Sequence, residues 1–147
     1  MWDAIHNAGL RSCYMAACES VPLMIETAKK NKIGSRSSSS SRPLIVLISS
    51  FGGKSYTFNV AYGVGKAAVD RLASDMYYQL EQYNIDTVSL YPGVVKTEGN
   101  MEMDRQGKWD AASGGRDLSK GETPHFTGRA VAQLLGNAEL MKERSGK

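Results

Sequence analysis

The sequence is poor in the features that mark many specialised proteins. Only two cysteines occur in 147 residues. Cys13 and Cys18 stand five apart in a helical pattern, which suits neither a disulfide nor a zinc knuckle. The two histidines, His6 and His125, join them at no recognised metal spacing, so no metal centre is expected. No apolar run approaches the roughly 20 residues that cross a bilayer. The opening residues, Met1 to Ile5, lack the basic region and apolar core of a secretory leader. An intracellular protein is expected, cytoplasmic or held at the periphery of an organelle membrane. Charge of one sign is also scarce: the net value is +3, with the basic residues scattered, which argues against nucleic acid as a partner. The remaining composition, 41% hydrophobic and 22% charged, is that of an ordinary folded domain. The length suits one domain but is short for a dinucleotide enzyme.

What is present divides into alternating elements. Residues 3–30 repeat apolar side chains every three or four positions (Ile5, Leu10, Tyr14, Ala17, Val21, Met24, Ile25), a helical period that Pro22 should disturb. A low-complexity tract over 35–42, rich in serine, reads as a solvated surface insertion. Leu44–Ile48 is five apolar residues in a row, the pattern of a parallel strand buried on both faces. Residues 62–84 form a long helix with an apolar stripe of Val69, Leu72, Met76, Leu80 and Tyr83, closed by Asn84. Residues 85–90 make a second strand that Pro92-Gly93 breaks. Strand, helix, strand in that order predicts a right-handed βαβ unit in a parallel α/β sheet. Residues 98–122 read as a long loop, a lid over a site or a disordered segment. Thr123-Pro124 then opens a short helix with buried Ala130, Val131, Leu134 and Leu135.

The candidate chemistry lies around Tyr62-Gly-Val-Gly-Lys66. Tyr62 and Lys66 are four apart at the start of a helix, so both project from one face. A phenol is a poor base near neutrality, but an ammonium beside it favours the phenolate. In its acid form a phenol can protonate a carbonyl oxygen as hydride reaches the carbon. A serine hydroxyl at the end of the preceding strand can hold that oxygen, and both Ser49 and Ser50 stand there. These groups would gather at the carboxyl ends of parallel strands, where open α/β sheets bind ligands. With seven tyrosines and ten lysines in the chain, chance alone yields about half a Tyr-x-x-x-Lys. The order of the parts carries more weight: apolar strand, Ser-Ser, Tyr-x-x-x-Lys opening a helix, second strand, Pro-Gly.

In that order, and in the phrases Leu44–Ser50, Phe58–Ala68 and Val88–Thr97, the chain resembles the short-chain dehydrogenase/reductase superfamily. The resemblance covers nearly the whole chain except the serine tract and part of the glycine-rich loop. It implies a partial Rossmann-like, doubly wound parallel sheet, the C-terminal half of such a domain without its first strands or its last. It implies Tyr62 as general acid/base, Lys66 assisting it and holding the nicotinamide ribose, and Ser50 as the catalytic serine, with Ser49 the competing register. Pro92, Gly93, Val95 and Thr97 are implied to contact the nicotinamide and phosphate side of the cofactor, NADP(H) or NAD(H). The substrate would be a small carbonyl compound or alcohol, and the helix over 62–84 would pair copies of the chain.

Two departures from the family pattern stand out. Where the family places a proton-relaying asparagine in the first helix this chain has His6, which can also shuttle protons. The strand and glycine-rich turn that hold a dinucleotide pyrophosphate are missing. Gly63-Val-Gly65-Lys-Ala-Ala68 satisfies Gly-x-Gly-x-x-Ala, but it lies within the catalytic segment and follows no buried strand. With two strands and open edges, the chain alone is expected to be marginal in stability and prone to aggregate. Three readings follow: a short-chain reductase site, a non-catalytic relative that keeps an interaction surface, and, remotely, a serine hydrolase lacking its Gly-x-Ser-x-Gly elbow.

Overall fold

The computed structural model describes residues 1–30 and 42–146; the serine-rich positions 35–41 lie outside them. One nearly continuous helix opens the chain: α1 (Trp2–His6), a π-helical turn over Asn7–Arg11, and α2 (Ser12–Lys30). Pro22 lies inside α2 without ending it, and both Pro22 and its carbonyl-side neighbour Leu23 are exposed. Strand β1 (Leu44–Ile48), helix α3 (Val60–Leu80) and strand β2 (Asp86–Leu90) follow, and the two strands pair in parallel with Leu44 opposite Asp86 and Ile48 opposite Leu90. The βαβ unit predicted from hydrophobic pattern is therefore present. Asn84 closes the helical segment in the left-handed conformation (φ 58°), which asparagine tolerates better than most residues.

The core forms where α2, α3 and the strands meet: Ala17, Leu47, Val69, Ala73, Met76, Leu80 and Ile85 make one buried cluster. The stripe on α3 runs through Val69, Ala73, Met76 and Leu80, at helical intervals of three and four. Ala73 lies fully buried among them, its carbonyl accepting a 2.8 Å hydrogen bond from the buried Thr87 hydroxyl on β2, and Leu72 packs, partly buried, against the same cluster. A larger side chain at Ala73 would hold α3 away from the sheet. Tyr83 lies outside the stripe and is exposed.

β1 corrects a second expectation. Its burial is partial along Leu44–Val46, complete at Leu47, and lost at Ile48, which is 46% exposed. Among the described residues the sheet has only two strands, so nothing covers β1 as a central parallel strand would be covered. The far edge of β2 does gain a neighbour: Gly146 N donates to Thr87 O at 2.9 Å, after the chain has passed through α6 (Pro124–Gly136) and α7 (Ala138–Arg144). No described helix is long and apolar enough to cross a membrane.

The segment 98–122 is ordered. It holds α4 (Glu98–Arg105), capped by the Thr97 hydroxyl, and α5 (Trp109–Ser113), with Trp109 and Leu118 buried. A short parallel bridge between Val95 and Glu122 ties its two ends together. Closing the excursion on itself keeps a 25-residue span from behaving as a free loop.

Candidate active site

A cleft of about 470 Å³ opens at the carboxyl ends of β1 and β2, lined by residues from both strand ends, the start of α3 and the 98–122 excursion. Ser49 and Ser50 reach it directly from the end of β1, and Pro92, Gly93 and Val95 from the end of β2. Tyr62 and Lys66 come from the first turns of α3. That helix begins where it does because Asn59, extended and outside it, accepts from Tyr62 N at 2.9 Å. An asparagine cap of this kind is worth about 1 kcal/mol.

Phe58, just before the cap, has a φ of 59°, an unusual conformation for a bulky residue. Its ring meets Tyr62 edge-on at 5.0 Å, a contact that helps hold both in place. From the other side Gly52 presses on Tyr62, and a Cβ there would stand 2.7 Å from Tyr62 Cε1. Gly52→Ala is therefore expected to push the phenol out of line and lower stability by about 1–3 kcal/mol. Near-ultraviolet circular dichroism, sensitive to the Phe58–Tyr62 pair, checks the displacement, and chemical denaturation checks the loss.

The two serines differ in role. Ser49, 3% exposed, donates from Oγ to Lys66 O at 3.2 Å, tying β1 to α3. Ser50 Oγ accepts from Gly52 N at 3.1 Å, which leaves its own proton available to an oxygen in the cleft. Lys66 Nζ donates to Ile48 O at 2.9 Å and stands 5.8 Å from the centre of the Tyr62 ring. Burial pulls the Lys66 ammonium below the ordinary lysine value, opposed by the nearby Cys13 sulfur and the Asp70 carboxylate. The Tyr62 hydroxyl makes no hydrogen bond among the described residues.

Thr97 stands apart from the cleft lining. Its hydroxyl accepts from Asn100 N as the cap of α4. His6 is also elsewhere: its ring stacks on Trp2 at 3.9 Å, with Nδ1 at 2.9 Å from Trp2 O. Its buried Nε2 has no partner and faces α3 at Gly65. Among the described residues no cluster of His, Cys, Asp or Glu could hold a metal ion. The lining also includes Phe51, Phe58, Asn100, Trp109 and Arg116. Trp109 had a sequence signal, as an isolated aromatic in a glycine-rich stretch. Arg116 had none, being one basic residue among many.

Behind the cleft, the Tyr91 hydroxyl donates to Asp70 Oδ2. Burial, with the hydrogen bond to Asp70 and that carboxylate's charge, pushes Tyr91 up to about 12. The folded chain holds this proton more tightly than the unfolded chain. The associated stability is thus complete below pH about 10 and lost as pH rises to about 12. Ultraviolet absorbance titration should show a tyrosine ionising late, near pH about 12, in a phase absent from Tyr91→Phe.

Comparison with known proteins finds relatives of the chain. The family model for short chain dehydrogenases matches residues 2–108. Mouse dehydrogenase/reductase SDR family member 1 is 36% identical over 153 aligned residues, covering all of this chain and 44% of its own length. The human protein of the same name is 43% identical over 98 residues, covering 67% of this chain and 27% of its own. The chain thus spans less than half the length of these relatives. Among solved structures, ElxO with NADP bound superposes with a TM-score of 0.72 at 20% identity, over 95% of this chain and 52% of that one. An NADPH-bound carbonyl reductase from chicken fatty liver gives 0.69 at 18% identity, over 99% and 52%. These structural likenesses establish the α/β fold of a partial Rossmann-like domain. The matched family model places the chain in the short-chain dehydrogenase family.

Proposed function

We propose that this chain carries the proton-transfer half of an NADP(H)- or NAD(H)-dependent carbonyl reductase or alcohol dehydrogenase. The observation that carries the reading is the convergence of Ser50, Tyr62 and Lys66 on one cleft, with the Tyr62 hydroxyl unengaged. A nicotinamide cofactor would supply hydride to the carbonyl carbon. The residues present suit its nicotinamide end: Tyr62 and Lys66 from α3, and Pro92, Gly93 and Val95 from the end of β2. Among the described residues none forms the strand and glycine-rich turn that grips a pyrophosphate.

The chain's own groups then divide the work. Ser50 donates to the substrate oxygen and fixes it against Tyr62. Tyr62 gives that oxygen its proton during reduction and takes it back during oxidation. Lys66, held by Ile48 O, stands beside the phenol and favours its ionised form when the proton has left. Phe51, Phe58 and Trp109 give the cleft an apolar wall that limits water around the reacting oxygen. Thr97, implied by family resemblance to meet the cofactor, lies outside the cleft lining and is left out of this assignment.

The reading is tested by following NADPH and NADH oxidation at 340 nm against a panel of aromatic ketones and aldehydes. Carbonyl-dependent oxidation at a rate above the uncatalysed one supports it. Cofactor oxidation that ignores the carbonyl, or none with any member, contradicts it.

A further inference from the structure

We infer that Arg116 is a specificity-determining residue of the cleft and selects carbonyl substrates that carry a carboxylate. The inference rests on the reading of this cleft as a carbonyl-reducing site and adds the class of substrate. Two cationic side chains, Lys66 and Arg116, line the cleft, and no carboxylate does. Nearby Glu122 is turned to Gly93 N and the Thr127 hydroxyl, at 3.1 and 3.2 Å. Lys66 is engaged with Ile48 O beside the phenol, so Arg116 is the cation left to meet the rest of a substrate.

Arg116 is held in place while its charge is left open. Its backbone N donates to Ser113 Oγ at 3.1 Å, its carbonyl accepts from the Trp109 indole, and Nη1 donates to Ser113 O. Those anchors are buried: Ser113 is 1% and Trp109 5% exposed. Gly114 and Gly115, with φ of 71° and 77°, turn the chain back so that Arg116 reaches them. Elsewhere Arg42, Arg71 and Arg105 are each paired with a carboxylate. Arg116 has no ion pair among the described residues, and most of its five N–H donors stay open. A guanidinium fixed before binding loses less freedom when it engages a ligand. Its planar fork matches a carboxylate with two parallel hydrogen bonds. The neighbouring Phe51, Phe58 and Trp109 suit an apolar, aromatic body between that carboxylate and the carbonyl.

The test uses 4-acetylbenzoate and its neutral isostere 4-acetylbenzamide, titrated into the full chain without cofactor. Binding is followed by the Trp109 indole N–H resonance, told apart from the other indole by Trp2→Phe. The benzoate is expected to bind at least tenfold more tightly than the amide. Arg116→Gln should erase that difference, Arg116→Lys should keep part of it, and neither should shift the affinity for NADPH. Equal binding of the two ligands, no binding of either, or a preference that survives Arg116→Gln overturns the inference. So does a fall in NADPH affinity in Arg116→Gln with the ligand preference unchanged, because Arg116 would then serve the cofactor. Carboxylate selectivity without any carbonyl-dependent NADPH oxidation would defeat the reductase reading and leave the Arg116 contact standing. Turnover without selectivity would do the reverse.

Discussion

Tyr62→Phe is expected to lower carbonyl-dependent NADPH oxidation by about 10²–10⁴-fold, the usual contribution of a positioned acid/base group. The substitution removes one hydroxyl and keeps the ring that packs at 5.0 Å against Phe58 and closely against Gly52. Because that hydroxyl has no hydrogen-bond partner among the described residues, its loss strands no buried group. Stability should therefore change by less than about 1 kcal/mol. The contrast between a large kinetic effect and a small thermodynamic one identifies a chemical role. Steady-state rates and urea unfolding on the same preparation measure the two sides. A rate loss matched by a large stability loss would mean that Tyr62 serves packing.

The largest expected effect on stability lies at the opposite end of the strands. Arg42 Nη1 meets Asp86 Oδ1 at 3.2 Å, with the two side chains only 9% and 6% exposed. Breaking such a buried pair costs about 3–5 kcal/mol. Arg42→Ala should therefore leave the chain largely unfolded or close to it. The pair also sits where Asp86 N donates to Pro43 O at 2.9 Å, the first rung of the parallel ladder. It pins a register that sends Ser49 and Ser50, and Pro92 and Gly93, to the same end of the sheet. A slip of one residue would turn every side chain to the other face. Arg42→Met combined with Asp86→Leu is expected to recover much of the loss, since burying neither charge avoids the desolvation cost. Thermal and denaturant melts of both single variants and the double variant measure the coupling. Additive losses would contradict the assignment.

The parts of the fold that could be read from the sequence are those set by local pattern. Five apolar residues at Leu44–Ile48, a 3.6-residue stripe on α3 and the Pro92-Gly93 stop defined the βαβ unit. Tyr62 and Lys66 meet on one cleft because four residues make about one helical turn. What sequence could not show depends on contacts between distant segments. The ordering of 98–122 follows from the Val95–Glu122 bridge and the burial of Trp109 and Leu118, and no short-range signal encodes a closure of that kind. The difference between Ser49 and Ser50 is one of direction alone: alternate residues of an extended chain face opposite ways, so one hydroxyl meets Lys66 O and the next meets Gly52 N. Ile48 is exposed because the sheet has two strands among the described residues, whereas five apolar residues signal only a capacity for burial. His6 faces Gly65 because the small residue on α3 lets the first helix approach there.

Cofactor binding tests the account most directly, since it needs neither a chosen substrate nor turnover. NADPH is titrated against the 147-residue chain and read by nicotinamide fluorescence, in parallel with Lys66→Ala. Saturable enhancement that weakens at least tenfold in Lys66→Ala is the predicted result. No binding at millimolar NADPH, or binding that Lys66→Ala leaves unchanged, would contradict it.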